Sequence, residues 1–208
     1  MSGRRQHWDT IFAKSEDDRR LGWYERNSDQ ILGYLERLDL AIPSTIFLAG
    51  AGTSMLPGDL LLRGHRLIIN DVSELALDTL KRRIGPNSRA SWINTDLGRP
   101  VTAALPPLDL WIDRAVLHFL VEDTDRRQYF STLQEAVRPG GYVLLAQFSK
   151  EAADKCAGLP VHRYSEEEMS DNLGADYLLI EHEIFHYTTP SGAPRPYLYA
   201  LFERQCAP

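Results

Sequence analysis

Two glycines, Gly50 and Gly52, sit at the end of the apolar run in IFLAGAGTS, residues 46–54. Without a Cβ, such a turn lets another group come within van der Waals distance of the backbone. Acidic residues then recur at the ends of later apolar runs. Asp71 lies 19 residues beyond Gly52 in IINDVS, Asp96 falls in INTDL, and Asp113 with Arg114 falls in WIDRAVLHFL. A carboxylate at the tip of one strand can accept both hydroxyls of a ribose, and one at the tip of the next can accept from an exocyclic amine. Together they suit a nucleotide or nucleoside. The plainer alternatives are a tight strand-to-helix turn at Gly50–Gly52 and a helix cap at Asp71.

Two phosphate motifs are absent. A dinucleotide fingerprint needs glycine where Met55 stands, and a P-loop needs Gly-Lys-Ser/Thr where the chain reads Met55-Leu56-Pro57. A nicotinamide oxidoreductase is disfavoured on the same ground.

The elements that would carry these residues follow from periodicity. Apolar runs predict strands at 45–49, 66–70, 90–94, 108–112, 142–148, 178–187 and 197–203. Helical spacing predicts helices at 28–38, 73–84 and 124–137, the second capped by Ser73 and stopped by Gly85-Pro86. Alternation of this kind gives an α/β fold with a doubly wound, mostly parallel sheet. Only TTPSGAPRP separates the last two strands, too short for a parallel crossover, so they should pair antiparallel.

Composition sets the frame. The chain has 208 residues, 43% hydrophobic and 25% charged, as expected of a single domain, 1–208, with an N-terminal cap and helix over 1–40 and a core over 45–204. Its 29 acidic and 23 basic side chains leave a net charge of −6, which disfavours binding to a phosphate backbone, so no nucleic acid is expected. Cys156 and Cys206 form neither a disulfide framework nor a metal-ligand pattern, and no metal is expected. With no apolar signal core and no long apolar run, a soluble, cytoplasmic protein is the expectation, with no membrane partner.

Taken together, these positions resemble the class I S-adenosylmethionine-dependent methyltransferases. The resemblance rests on Gly50/Gly52, on Asp71, Asp96 and Asp113 after successive strands, on Pro139-Gly140-Gly141 before the fifth, and on the terminal hairpin. It spans roughly residues 7–204. The stretches HWDTIFAKSEDDRRLGWYE, DRAVLHFL, CAGLPVHRYSEEEM and HYTTPSG are similar to a subgroup related to the citrate synthase lysine methyltransferase and, more distantly, to thiopurine methyltransferases. The resemblance implies a Rossmann-like, seven-stranded sheet with an antiparallel last strand, helices on both faces and an N-terminal helical cap. It implies S-adenosyl-L-methionine as cofactor, S-adenosyl-L-homocysteine as product, and Gly50, Ala51, Gly52, Asp71, Val72, Asp96, Leu97, Asp113 and Arg114 as the residues around it. Two departures stand out: Leu48 occupies the usual place of an acid, and Ser54 that of a third glycine.

Methyl transfer from a sulfonium is an in-line displacement, so the protein contributes alignment, desolvation and a deprotonated nucleophile. Asp113 is a candidate for contact with the methionine amine or for orienting the acceptor, the alternative being a pair with Arg114. His118 is a candidate base, or else a structural histidine. Trp23 and Tyr24 could close over the methyl group or simply pack the N-terminal helix. His162, Arg163 and Tyr164 could shape the acceptor pocket or form a solvated surface. Strand four ends in IDRA rather than the Asp/Asn-Pro-Pro-Tyr of many amino-methyltransferases, leaving a protein lysine or a small amine or thiol as acceptor. The alternative function is a non-catalytic binder of S-adenosylmethionine or S-adenosylhomocysteine.

Overall fold

The computed structural model describes residues 3–15 and 17–206. Helices α1 (Gly3–Lys14) and α2 (Asp29–Leu35) lead into alternating strands and helices: β1 (Thr45–Ala49), α3 (Leu56–Leu62), β2 (Arg66–Asp71), α4 (Glu74–Ile84), β3 (Ala90–Asn94), β4 (Leu108–Arg114), α5 (Asp123–Ala136) and β5 (Val137–Phe148). A short hairpin, β6 (Lys155–Cys156) and β7 (Leu159–Pro160), precedes α6 (Glu166–Leu173), β8 (Tyr177–Thr188) and β9 (Pro194–Arg204).

The seven-stranded sheet has the order β3-β2-β1-β4-β5-β9-β8. Neighbours from β3 to β5 run parallel, β9 is antiparallel to β5, and β8 is antiparallel to β9. This is a Rossmann-like fold with the expected terminal hairpin. The chain leaves β1 toward β2 on one side and reaches β4 on the other, so a crevice opens where the strand order reverses.

Alternation along β1 shows how the sheet is covered. Ile46 and Leu48 enter the core beneath α2, α3 and α4, with Ile31, Leu60 and Leu77. Phe47 and Ala49 enter the opposite core with Trp111, Tyr129, Leu133 and Met169, beneath α5 and α6. Both faces are apolar because both are buried.

Local signals explain most boundaries. Ser73 Oγ accepts the Ala76 N–H at 3.2 Å to cap α4, and Gly85, at φ +73°, ends it. The fifth strand begins at Val137 rather than 142, because Val137 pairs with Leu108 and a register irregularity follows. Gly141 is required there: a Cβ would lie 2.9 Å from the Arg138 carbonyl oxygen and 3.0 Å from that of Leu108. The predicted helix at 28–38 is shorter, α2 closing with turns after Leu35. Among the described residues no helix is long and apolar enough to cross a membrane.

Candidate functional site

Two adjoining cavities lie at the carboxyl ends of β1, β2, β3 and β4, and Gly50, Gly52, Trp23 and Arg114 line both. The first extends over Asp71, Val72, Asp96 and Leu97. The second follows the glycine turn past Ala51 to Leu56 and is bounded by Leu48, Tyr24 and Glu25.

β2 organises the turn between them. Asn70 Oδ1 accepts the Gly50 N–H at 3.3 Å, the Asn70 carbonyl accepts the Ala51 N–H at 2.8 Å, and Asp71 Oδ2 accepts the Gly52 N–H at 2.7 Å. Asn70 Nδ2 in turn donates to the carbonyls of Ile93 and Thr95, tying the turn to the end of β3. Gly50 and Gly52 sit at φ +55° and +52°. A Cβ on Gly50 would fall 2.0 Å from the Val116 Cγ2, and one on Gly52 would lie 3.5 Å from the Phe12 ring. The close approach that glycine permits is thus used by the protein's own walls as well as by the cavity.

Asp71 also accepts from the Ser73 N–H at 2.8 Å, while the cap of α4 is Ser73 itself. Burial pushes the Asp71 carboxyl up to about 6, against the backbone donors that stabilise its charge. Each carboxylate oxygen has a second lone pair, so two donors from a ligand can be added to the two from the backbone. Asp96 accepts the Gly98 N–H at 3.0 Å and receives Arg4 Nη1 at 3.1 Å.

Helix α1 and the segment after it form the roof. Arg4, Trp8 and Phe12 line the first cavity, and Arg4 bridges Asp96 to Asp125. Trp8 meets Trp23 and Phe119 edge-on at ring separations of 5.4 and 4.9 Å. Arg4, Trp8, Phe12 and Phe119, together with Asn70 and Glu25, are functional candidates that the sequence reading did not name. Arg4 and Asp96 are 92 positions apart, with no short-range pattern to connect them.

Arg114 runs under the second cavity. Its Nη1 donates to the Trp23 carbonyl at 3.0 Å, its Nε to the Tyr199 hydroxyl at 3.3 Å, and its Nη2 lies 3.0 Å from Glu25 Oε1. Its guanidinium also lies over Tyr187 and Tyr197, 5.3 and 4.9 Å from the ring centres. Trp23 lines both cavities and Tyr24 the second, and the Trp23 ring also packs against Trp8 and Phe12 of α1.

Asp113 requires a correction. It is fully buried and lines neither cavity. It accepts from the N–H groups of Val116 and Leu117, from Gln147 Nε2 at 2.8 Å and from the Tyr129 hydroxyl at 2.6 Å. Four protein donors consume a carboxylate that was expected to meet a ligand or pair with Arg114.

His118 is a second correction. It lies fully buried between Phe119 and Phe148, at ring separations of 4.4 Å, and lines neither cavity. Burial drives its pKa down to about 3, with the Arg195 and Arg114 charges adding to the effect. A neutral, enclosed imidazole outside the cavity is not placed to take a proton there.

His162, Arg163 and Tyr164 are the third. His162 bonds to Glu168, Arg163 donates to the carbonyls of Lys150 and Ala152 at 3.2 and 3.1 Å, and Tyr164 is buried. The trio fastens the segment before α6 to the end of β5, where Tyr164 bridges Ser149, and none of it lines either cavity.

The residues present fit an adenosyl ligand: a carboxylate at the tip of β2, another at the tip of β3, a glycine turn between the cavities and an aromatic roof for a purine. Among the described residues, no group of His, Cys, Asp or Glu is arranged to hold a metal ion.

No family model matches this sequence, and no curated protein does. Solved structures do. The chain is similar to the N-methyltransferase NodS from Bradyrhizobium japonicum WM9 in complex with S-adenosyl-L-homocysteine, at 19% identity and a TM-score of 0.72 over 98% of this chain and 99% of that one. It is similar to the 1,6-didemethyltoxoflavin-N1-methyltransferase of Burkholderia thailandensis with bound 1,6-didemethyltoxoflavin and S-adenosylhomocysteine, at 18% identity and 0.74 over 97% and 88%. A third is a SAM-dependent methyltransferase from Anabaena variabilis ATCC 29413, at 14% identity and 0.75 over 97% and 93%. At these identities the likeness establishes the shared fold.

Proposed function

We propose that this chain is an S-adenosylmethionine-dependent methyltransferase acting on an amine or thiol, with a small molecule as acceptor in preference to a protein lysine. The observation that carries the reading is the pair of carboxylates Asp71 and Asp96 at adjacent strand tips, lining one cavity with the glycine turn. That arrangement occurs in a fold shared with methyltransferases that hold S-adenosylhomocysteine. The sequence resemblance to the citrate synthase lysine and thiopurine methyltransferase group belongs to the same reading.

In this proposal Asp71 accepts the ribose hydroxyls, Asp96 accepts from the adenine amine, and Val72 and Leu97 flank the ring. The cofactor, when bound, supplies an electrophilic methyl on a sulfonium. Trp8, Phe12, Trp23 and Phe119 enclose the site and exclude water, so an acceptor is held in line in a dry pocket. Enclosure is also what favours a small acceptor, and the toxoflavin enzyme, with its small acceptor bound, sets a precedent.

The test is calorimetric titration with S-adenosylmethionine and S-adenosylhomocysteine, followed by assay of S-adenosylhomocysteine release with small-molecule extracts. Saturable binding and acceptor-dependent release are expected. Absence of binding at millimolar ligand would end the reading.

A further inference from the structure

The strand-end carboxylates explain the first cavity and leave the second without a purpose. Glu25 and Arg114 face each other there, 3.0 Å apart, with side chains only 22% and 11% exposed. Holding opposite charges out of water is costly unless every donor and acceptor is met. Arg114 falls short of that: its Nη2 is buried and makes no well-directed hydrogen bond. Burial pushes the Glu25 carboxyl up, and Arg114 opposes the shift.

A ligand group that suits such a pair carries a cation and an anion a few bonds apart. An α-amino carboxylate is that group: its ammonium can meet Glu25, its carboxylate can meet Arg114, and the net charge of the pocket is unchanged. Gly50 and Gly52 line both cavities, so a ligand with its adenosyl end against Asp71 would cross the glycine turn and place its other end here. Leu48, in the same wall, is apolar and contributes no charge.

The geometry points to Glu25 and Arg114 as the recognition pair for the amino-acid end of S-adenosylmethionine, with the N-terminal segment supplying the carboxylate. This rests on the methyltransferase reading above.

Calorimetry with two ligands tests it. S-adenosylhomocysteine carries the amino-acid end; 5′-methylthioadenosine has the same nucleoside without it. Wild type binds the first about ten-fold or more tighter than the second, and Glu25→Gln weakens S-adenosylhomocysteine about ten-fold while leaving methylthioadenosine unchanged. Equal affinities in wild type overturn the assignment. So does an equal loss of both ligands in a folded Glu25→Gln, because a merely structural role would not distinguish them. If circular dichroism shows the variant unfolded, wild type is titrated with S-adenosylhomocysteine lacking its α-amino group: about ten-fold weaker binding supports the pair, and unchanged binding overturns it. Failure of wild type to bind any adenosyl ligand refutes the methyltransferase reading itself, an outcome distinct from these.

Discussion

Asp71 and Asp113 end strands two places apart in the same sheet, and both are pushed to about 6 by burial, yet they stand in different regions. Asp71 takes two backbone donors, from Gly52 and Ser73, and lines a cavity. Asp113 takes four donors from the β4 turn, Tyr129 and Gln147, and lines none. A perturbed carboxyl alone does not mark a site. What separates the two is the hydrogen-bonding capacity left over once the protein has been served.

Exchanging each for asparagine is the direct way to break that comparison. Asp71→Asn should weaken S-adenosylhomocysteine about 100-fold, as expected for two lost hydrogen bonds to a charged acceptor, and should cost about 1–2 kcal/mol of stability because one of the buried Gly52 and Ser73 N–H groups loses its acceptor. Asp113→Asn should cost about 2–3 kcal/mol of stability in denaturant titration, leaving the folded fraction's affinity within a few-fold. Equal losses of affinity in both variants would erase the distinction.

The pH dependence sharpens it. A carboxyl with an ordinary value of 3.8 and a folded value of about 6 holds its proton more tightly when folded. Its contribution to stability is therefore full below 3.8 and is lost as pH rises through 6. Relative to Asp113→Asn, wild type should lose about 2 kcal/mol between pH 4 and 7. Affinity runs the other way: protonated Asp71 is a poorer acceptor, so S-adenosylhomocysteine binding should fall about ten-fold for each pH unit below 6, and be flat in Asp71→Asn. His118 has the opposite linkage to stability. Depressed from 6.5 to about 3, it favours the folded state at neutral pH and loses that contribution as pH falls from 6.5. His118→Leu should remove that acid-side loss and leave S-adenosylhomocysteine affinity within about two-fold.

The smallest effect concerns the roof. Arg4→Ala removes a partly buried pair with Asp96 and Asp125 and should cost about 1 kcal/mol, measured by thermal unfolding at low and high salt. No change would mean that the Ser73–Asp9 and Arg5–Val72 hydrogen bonds and the aromatic contacts suffice to hold α1.

Much of the sheet was legible because strands and their ends are local signals. β1 and β3 have the predicted bounds, and the hairpin of β8 and β9 follows from the shortness of its turn. Gly50, Gly52, Asp71, Val72, Asp96 and Leu97, at the tips of β1, β2 and β3, line one cavity, and Ala51 lines the other. Misplaced residues failed for tertiary reasons. Asp113 is consumed partly by Gln147, 34 positions away, and His118 is enclosed by Phe148. Nothing in VLHFL announces either partner. Helix α1 was legible only as an aromatic stretch: none of its residues is buried, and Trp8 meets Trp23 and Phe119 rather than the sheet.

The segment around Trp23 is clipped from two strands that flank β5: Arg114 on β4 holds the Trp23 carbonyl, and Arg195 on β9 holds the Gly22 carbonyl at 2.8 Å. Both clips grip main chain. These two grips do not depend on the side chain at position 23, while the Trp23 ring adds contacts with Trp8 and Phe12 and Glu25 adds its pair with Arg114. A substitution at Trp23 would thus alter the wall of both cavities while the main-chain path stays pinned at residues 22 and 23.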